Sequence, residues 1–219
     1  MRSRTLVDML LTAPLLLAAA CAPAEREPAR PAPQKARAFT PAVPELDTAF
    51  RMPARRGPRP ETSDAPPGTP LAHRQLSQQS PVDIQERLFQ RAASLPDVTV
   101  APSGISVPGA RAFWLHPAQA RGPRAAFQVG TEFAHIHPTH DGSLHMMFPP
   151  GLARQVFQQG WGMPHPRSGT PMVFGPRDAE ELEVVWQLLL RSYTWARDGQ
   201  AVGVALETTS TRATSERTP

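Results

Sequence analysis

Residues 132–148 read Glu132-Phe-Ala-His-Ile-His-Pro-Thr-His-Asp-Gly-Ser-Leu-His-Met-Met-Phe148, and this stretch limits the possible folds more than any other. Side chains alternate across a strand, so a strand through 133–137 sends His135 and His137 one way and Ala134 and Ile136 the other. Leu144–Phe148 reads as the returning strand. A two-residue Asp141-Gly142 turn would put His137 opposite Met146 and send His145 to the apolar side. A five-residue loop, Thr139–Ser143, pairs His137 with His145 and gathers Ala134, Ile136, Leu144, Met146 and Phe148 on one face. Apolar patterning normally selects register. The spacing therefore predicts the longer loop, with His135, His137 and His145 on one face and His140 and Asp141 at its rim.

Four of the seven histidines fall within eleven positions here. Imidazole titrates nearest neutral pH and is the commonest metal ligand. Three chemistries fit the pattern. His135, His137 and His145 can ligate a divalent ion, with His140 or Asp141 completing the shell. The same imidazoles can work without a metal, deprotonating and orienting an acidic substrate. They can also be structural. Trp161, His165 and Arg177 carry no functional weight alone: a core anchor, a loop residue between prolines and a solvated cation are their ordinary roles.

The rest of the chain divides by proline and charge. Thirteen of the 27 prolines lie between Cys21 and Val82. Residues 22–81 carry nine Lys/Arg against six Asp/Glu, whereas residues 82–200 carry ten of each. The basic excess belongs to the proline-rich part and the first few residues. A nucleic-acid reader should show its surplus on the folded domain, so nucleic acid is not an expected partner. Residues 22–75 are expected to form an extended, disordered Pro/Ala/Arg-rich linker, because proline fixes φ and lacks the N–H that helices and sheets use. Residues 1–21 have the form of an export signal: Arg2 and Arg4, an apolar run from Leu6 to Ala20, then small residues before Cys21. Leu17-Ala-Ala-Ala-Cys21 resembles the bacterial lipoprotein signal, which implies lipidation of Cys21 and anchoring in a bacterial cell envelope, on the periplasmic side of the outer membrane. A plain Ala-x-Ala cleavage would instead give a secreted periplasmic protein. A single cysteine excludes an internal disulfide and any multi-cysteine metal site.

An α+β domain is expected over residues 76–200, with a small, mostly antiparallel sheet and about three helices at 82–94, 151–159 and 178–195. Ser80-Pro81-Val82-Asp83 is a helix start. Strands are expected at 98–101, 105–107, 112–115 and 172–174, and residues 161–169 as a loop. Asp178-Ala-Glu-Glu181 resembles a capping box, ahead of Leu182, Val185, Trp186, Leu189, Leu190 and Tyr193 at helical spacing. Residues 201–219 read as a flexible tail.

Taken together, Ala134-His-Ile-His-Pro-Thr-His-Asp141, Leu144-His145, Gly160-Trp-Gly162, His165-Pro166, Pro176-Arg177 and Glu180-Glu-Leu-Glu-Val-Val185 resemble the luciferase-domain family: the fungal luciferases and their non-luminous bacterial relatives. The resemblance implies a cofactor-independent oxygenase in which a hydroxylated substrate, such as the α-pyrone of the fungal enzymes, loses a proton and reacts with O₂. It implies His135, His137, His145, His140 and Asp141 as catalytic residues, and Trp161, His165 and Arg177 around the substrate. Pro138 departs from the luminous enzymes, which have an acid there, and luminescence is not carried over. A non-catalytic metal- or ligand-binding envelope lipoprotein is the alternative, and a metal-dependent hydrolase a third. No Gly-x-Ser-x-Gly elbow is present, so covalent hydrolysis is disfavoured.

Overall fold

A computed structural model describes residues 42–63 and 73–207. The expected signal segment with Cys21, the first part of the linker and residues 208–219 lie outside the described residues. Among the described residues a six-stranded antiparallel sheet carries the fold, ordered β2-β3-β4-β5-β7-β6. Its strands are β2 (Val98–Pro102), β3 (Arg111–Leu115), β4 (Glu132–Ile136), β5 (Leu144–Met146), β6 (Gly162–Pro164) and β7 (Pro171–Val173). The helices are α1 (Val82–Ala93), α2 (Leu152–Gln158) and α3 (Ala179–Asp198). The class is α+β, as the sequence predicts. No described helix is long and apolar enough to cross a membrane.

The helices form for the expected reasons, with adjustments at their ends. Asp178 Oδ1 accepts from the backbone N–H of Glu181 at 2.9 Å and starts α3. Glu181 reaches back one residue further than a capping box would, accepting from the N–H of Arg177. Gly199, at φ 73°, ends α3 in the left-handed conformation. Ser80 does not cap α1; its hydroxyl donates to the carbonyl of Pro176, tying the helix start to the strand-to-helix turn. The apolar sides of α1 and α3 cover one face of the sheet, burying Leu88, Phe113, Phe133, Ile136, Leu144, Leu189 and Tyr193 in one cluster.

Three sequence expectations change. Residues 105–107 are not a strand. They belong to the β2–β3 loop, where the Ser103 hydroxyl takes the N–H groups of Ile105 and Ser106 and Gly109 turns at φ 86°. Gly162–Pro164, expected as loop, is the edge strand β6, paired with β7. The third change concerns the ends of the domain. The proline-rich segment is built into the fold through Leu46, Phe50 and Met52. Its strand β1 (Arg51–Met52) pairs in parallel with β8 (Ala205–Leu206), which belongs to the expected tail. Met52 is fully buried. Proline-rich chain makes few ladders of its own, so it attaches through bonds from the domain. Trp161 Nε1 donates to the carbonyl of Pro53 at 2.7 Å. The buried guanidinium of Arg191 donates to the carbonyls of Asp47 (2.8 Å) and Gly203 (3.1 Å).

Candidate functional site: a histidine-lined cavity

On the sheet face away from α1 and α3 lies a cavity of about 460 Å³. Its wall includes the β2–β3 loop (Ile105–Pro108), Gln128, the β6–β7 turn (His165, Ser168, Thr170) and His73, with His135, His137 and His145 from the hairpin. The hairpin register is shifted from expectation. His145 pairs with His135 rather than His137, and His137 N–H bonds to Ser143 O at 2.9 Å, so the connecting loop is 138–142. The shift is two residues in sum, which preserves the faces. The three imidazoles do share one face, with ring centroids 5.2–5.4 Å apart. Their nearest ring nitrogens all lie within 4.8 Å of one another.

Two buried carboxyl groups stand behind them. Asp141 is not at the rim: it is 1% exposed, and its Oδ2 lies 2.7 Å from His137 Nδ1. Its other oxygen holds the Ser143 hydroxyl (2.6 Å), Ser143 N–H (3.1 Å) and Gln75 N–H (3.2 Å). Glu132 Oε1 lies 2.7 Å from His135 Nδ1, with Ser103 and Gly104 N–H as its further partners. Simple alternation would put Glu132 on the helix face. A register shift prevents this: Phe113 pairs with Ala134 but Trp114 with Glu132, so Phe133 is an extra residue in β4. This bulge turns Phe133 to the helices and Glu132 to the histidines. Each carboxyl accepts the Nδ1 proton and leaves the Nε2 lone pair as the free one.

Burial disfavours charge on His145, His135 and His73. Burial pushes His145 well below the ordinary imidazole value, and the neighbouring imidazoles push the same way. Burial also lowers His135, against the raising effect of its bond to Glu132. His73 is pushed down to about 4 by burial and by His165. For Asp141, burial favours the protonated form, but the bonds from His137 and Ser143 outweigh it and hold the carboxyl below its usual value. Buried rings crowded this closely coexist only if most carry no charge.

The remaining expected site residues separate. His165 joins the cluster, 5.9 Å ring to ring from His145, and its Nδ1 accepts from the N–H groups of Arg167 and Ser168. His140 is exposed and outside the cavity wall. Trp161 is no pocket wall; it is a core residue that anchors the proline-rich segment. Arg177 is bound to Glu181 and to the Arg56 carbonyl, away from the cavity. Sequence reasoning missed two groups. His73 sits in the segment expected to be linker, yet is 2% exposed and 5.6 Å ring to ring from His145. No periodicity surrounds it, so no pattern could have selected it. Glu132 needed the bulge, which alternation does not reveal.

Fold and site together define an α+β domain with a cavity floored by imidazoles. Residues 130–192, which hold β4, β5, α2, β6, β7 and most of α3, match the family model described as the luciferase domain. Luciferases of Armillaria gallica and Armillaria mellea are each 33% identical over 67 residues, covering 26% of this chain and 25% of the relative. The luciferase of Neonothopanus nambi is 33% identical over 63 residues, covering 25% of this chain and 24% of the relative. The likeness to the luciferase-domain family lies in residues 130–192. The chain spans about a quarter of the length of the curated relatives it matches. No solved structure matches it significantly.

Proposed function

We propose that the cavity binds a small, acidic, hydroxylated organic molecule and that the domain promotes its reaction with O₂, without light emission. The convergence of His135, His137 and His145 on the cavity floor, two of them backed by buried carboxyl groups, carries this assignment. A hydroxyl entering the cavity meets the ring nitrogens of His135 and His137, whose Nδ1 sides are held by Glu132 and Asp141, and of His145, on which burial disfavours charge. Such a centre favours loss of the hydroxyl proton and holds the resulting oxyanion. An enolate or phenolate of this kind is electron-rich enough to give electrons to O₂, which is the chemistry the luciferase resemblance implies. The surrounding wall of Ile105, Val107 and Pro108 suits the apolar body of such a molecule.

Oxygen uptake tests the assignment. Purified protein is expected to consume O₂ with at least one hydroxypyrone or catechol-like compound, and His135→Ala to reduce the rate by about 10²-fold or more. Binding of such compounds with no uptake across the panel would instead identify a non-catalytic ligand-binding protein. Residues 1–21 are proposed to direct export and Cys21 to take lipid, holding the protein at the bacterial envelope; mass spectrometry of mature protein lacking lipid on Cys21 would refute this.

A further inference from the structure

We propose that His135, His137 and His145 form a binding site for one divalent transition-metal ion whose open coordination positions face the cavity. The ion would take over from the imidazole lone pairs the task of holding the oxyanion, the hydroxyl proton passing to solvent; the site rests on the function proposed above only for the nature of the oxygen ligand, and the ion itself is argued from geometry.

Two imidazole nitrogens on one ion, each about 2.0–2.1 Å from it, stand at most about 4.2 Å apart. The three ring nitrogens here lie within 4.8 Å of one another, so a small inward movement of the rings closes the set. Both His135 and His137 bond through Nδ1 to a buried carboxyl, the outer arrangement that fixes tautomer and ring orientation in histidine metal sites. Those carboxyls are themselves held, Glu132 by Ser103 and Gly104, Asp141 by Ser143 and Gln75. Two ring nitrogens of the trio, His135 Nε2 and His145 Nδ1, are buried without a hydrogen-bond partner. Buried polar atoms are rarely left so, and a cation would take up a lone pair at such a nitrogen.

An all-imidazole set selects the ion by class. Imidazole suits zinc, iron, copper, nickel or cobalt, whereas magnesium and calcium require oxygen ligands. Three protein ligands leave at least one position open, as in catalytic rather than structural sites. The cavity lies against that opening, and His73, with both ring nitrogens buried and unpartnered, lines it too. A substrate hydroxylate at the open position would be stabilised by the ion as a Lewis acid.

The test uses the whole chain with an affinity tag free of histidine. Protein is stripped with a chelator and titrated with Co²⁺, reading visible d–d absorption, and metal content is measured by mass spectrometry after desalting. One ion per chain is expected. His137→Ala and His145→Ala should abolish stoichiometric binding. Asp141→Asn, with the ligands intact, should weaken it about 10- to 100-fold. His140→Ala, on the same hairpin but exposed, should bind as the wild type does. Circular dichroism of each variant separates lost binding from lost fold. Wild-type binding no tighter than that of a folded His135→Ala/His137→Ala variant would overturn the site, as would equal loss on His140→Ala. Metal bound at one per chain with no oxygen uptake supports the site while refuting the oxygenase. Undiminished uptake by chelator-treated, metal-free protein refutes the ion's role and leaves the oxygenase standing.

Discussion

The two faces of the central sheet are built from the same strands and solve opposite problems. The helix face gathers Phe113, Phe133, Ala134, Ile136, Leu144 and Met146 under α1 and α3, and every one of these is fully or almost fully buried. The cavity face gathers Glu132, His135, His137, Asp141 and His145, which are also almost fully buried. Burial of apolar surface is favourable by itself. Burial of ionisable groups is unfavourable unless each finds a partner. One face therefore stabilises the fold without help, and the other stabilises it only as far as its polar groups are partnered. That the unsatisfied atoms of His73, His135 and His145 cluster on the cavity face is the same statement in atomic form.

The comparison can be broken most forcefully from the helix side. Phe133→Ala removes the bulged ring from between Phe113 and Tyr193. It should cost about 3–5 kcal/mol in denaturant unfolding; a cost below 1 kcal/mol would mean that the helix face does not carry the stability. The next effect comes from the cavity side. At a free metal concentration 100 times the dissociation constant, a fitting ion should raise stability by about 2.7 kcal/mol. His145→Ala should remove that gain, seen as coincident melting curves with and without the ion. A smaller effect separates the two faces from the strap that runs past them. Trp161→Phe keeps the ring in the core but deletes the bond to Pro53, and should cost about 1–2 kcal/mol. Its effect on cavity ligands should be slight, in contrast to the pocket role expected from the family resemblance. The smallest effect is expected for His140→Ala, within about 0.5 kcal/mol of the wild type, because an exposed histidine belongs to neither face.

The contrast between faces was legible in the sequence because a period of two is a simple code. Ala134, Ile136, Leu144 and Met146 alternate with His135 and His145, and any register that keeps the apolar set together also keeps the imidazoles together. The register itself was less legible. The loop 138–142 closes through the Asp141 side chain, which bonds to both His137 and Ser143, and Gly142 takes φ 73°. Side-chain closure of that kind leaves no trace in hydropathy. The helices were legible through capping and periodicity, to within a few residues at their ends. Glu132 was hidden by an extra residue in β4. His73 and the 42–63 segment were hidden for a more general reason. Proline density reports what a segment cannot bond to within itself, and says nothing of the donors that Trp161 and Arg191 extend to it from the domain.

That attachment makes the folded unit longer than the stretch by which its kinship is detected. The strands β1 and β8 belong to the two ends of the described chain, yet they lie side by side, and the Arg191 guanidinium bridges residues 47 and 203. The chain is thus closed nearly into a ring. Cutting it near residue 76, where the prolines thin out, would open the ring, leave Trp161 Nε1 and the Arg191 N–H that reaches Asp47 without acceptors and take His73 from the cavity. Proteolysis at one end should therefore loosen the other, and the cavity should lose its shape at the same step.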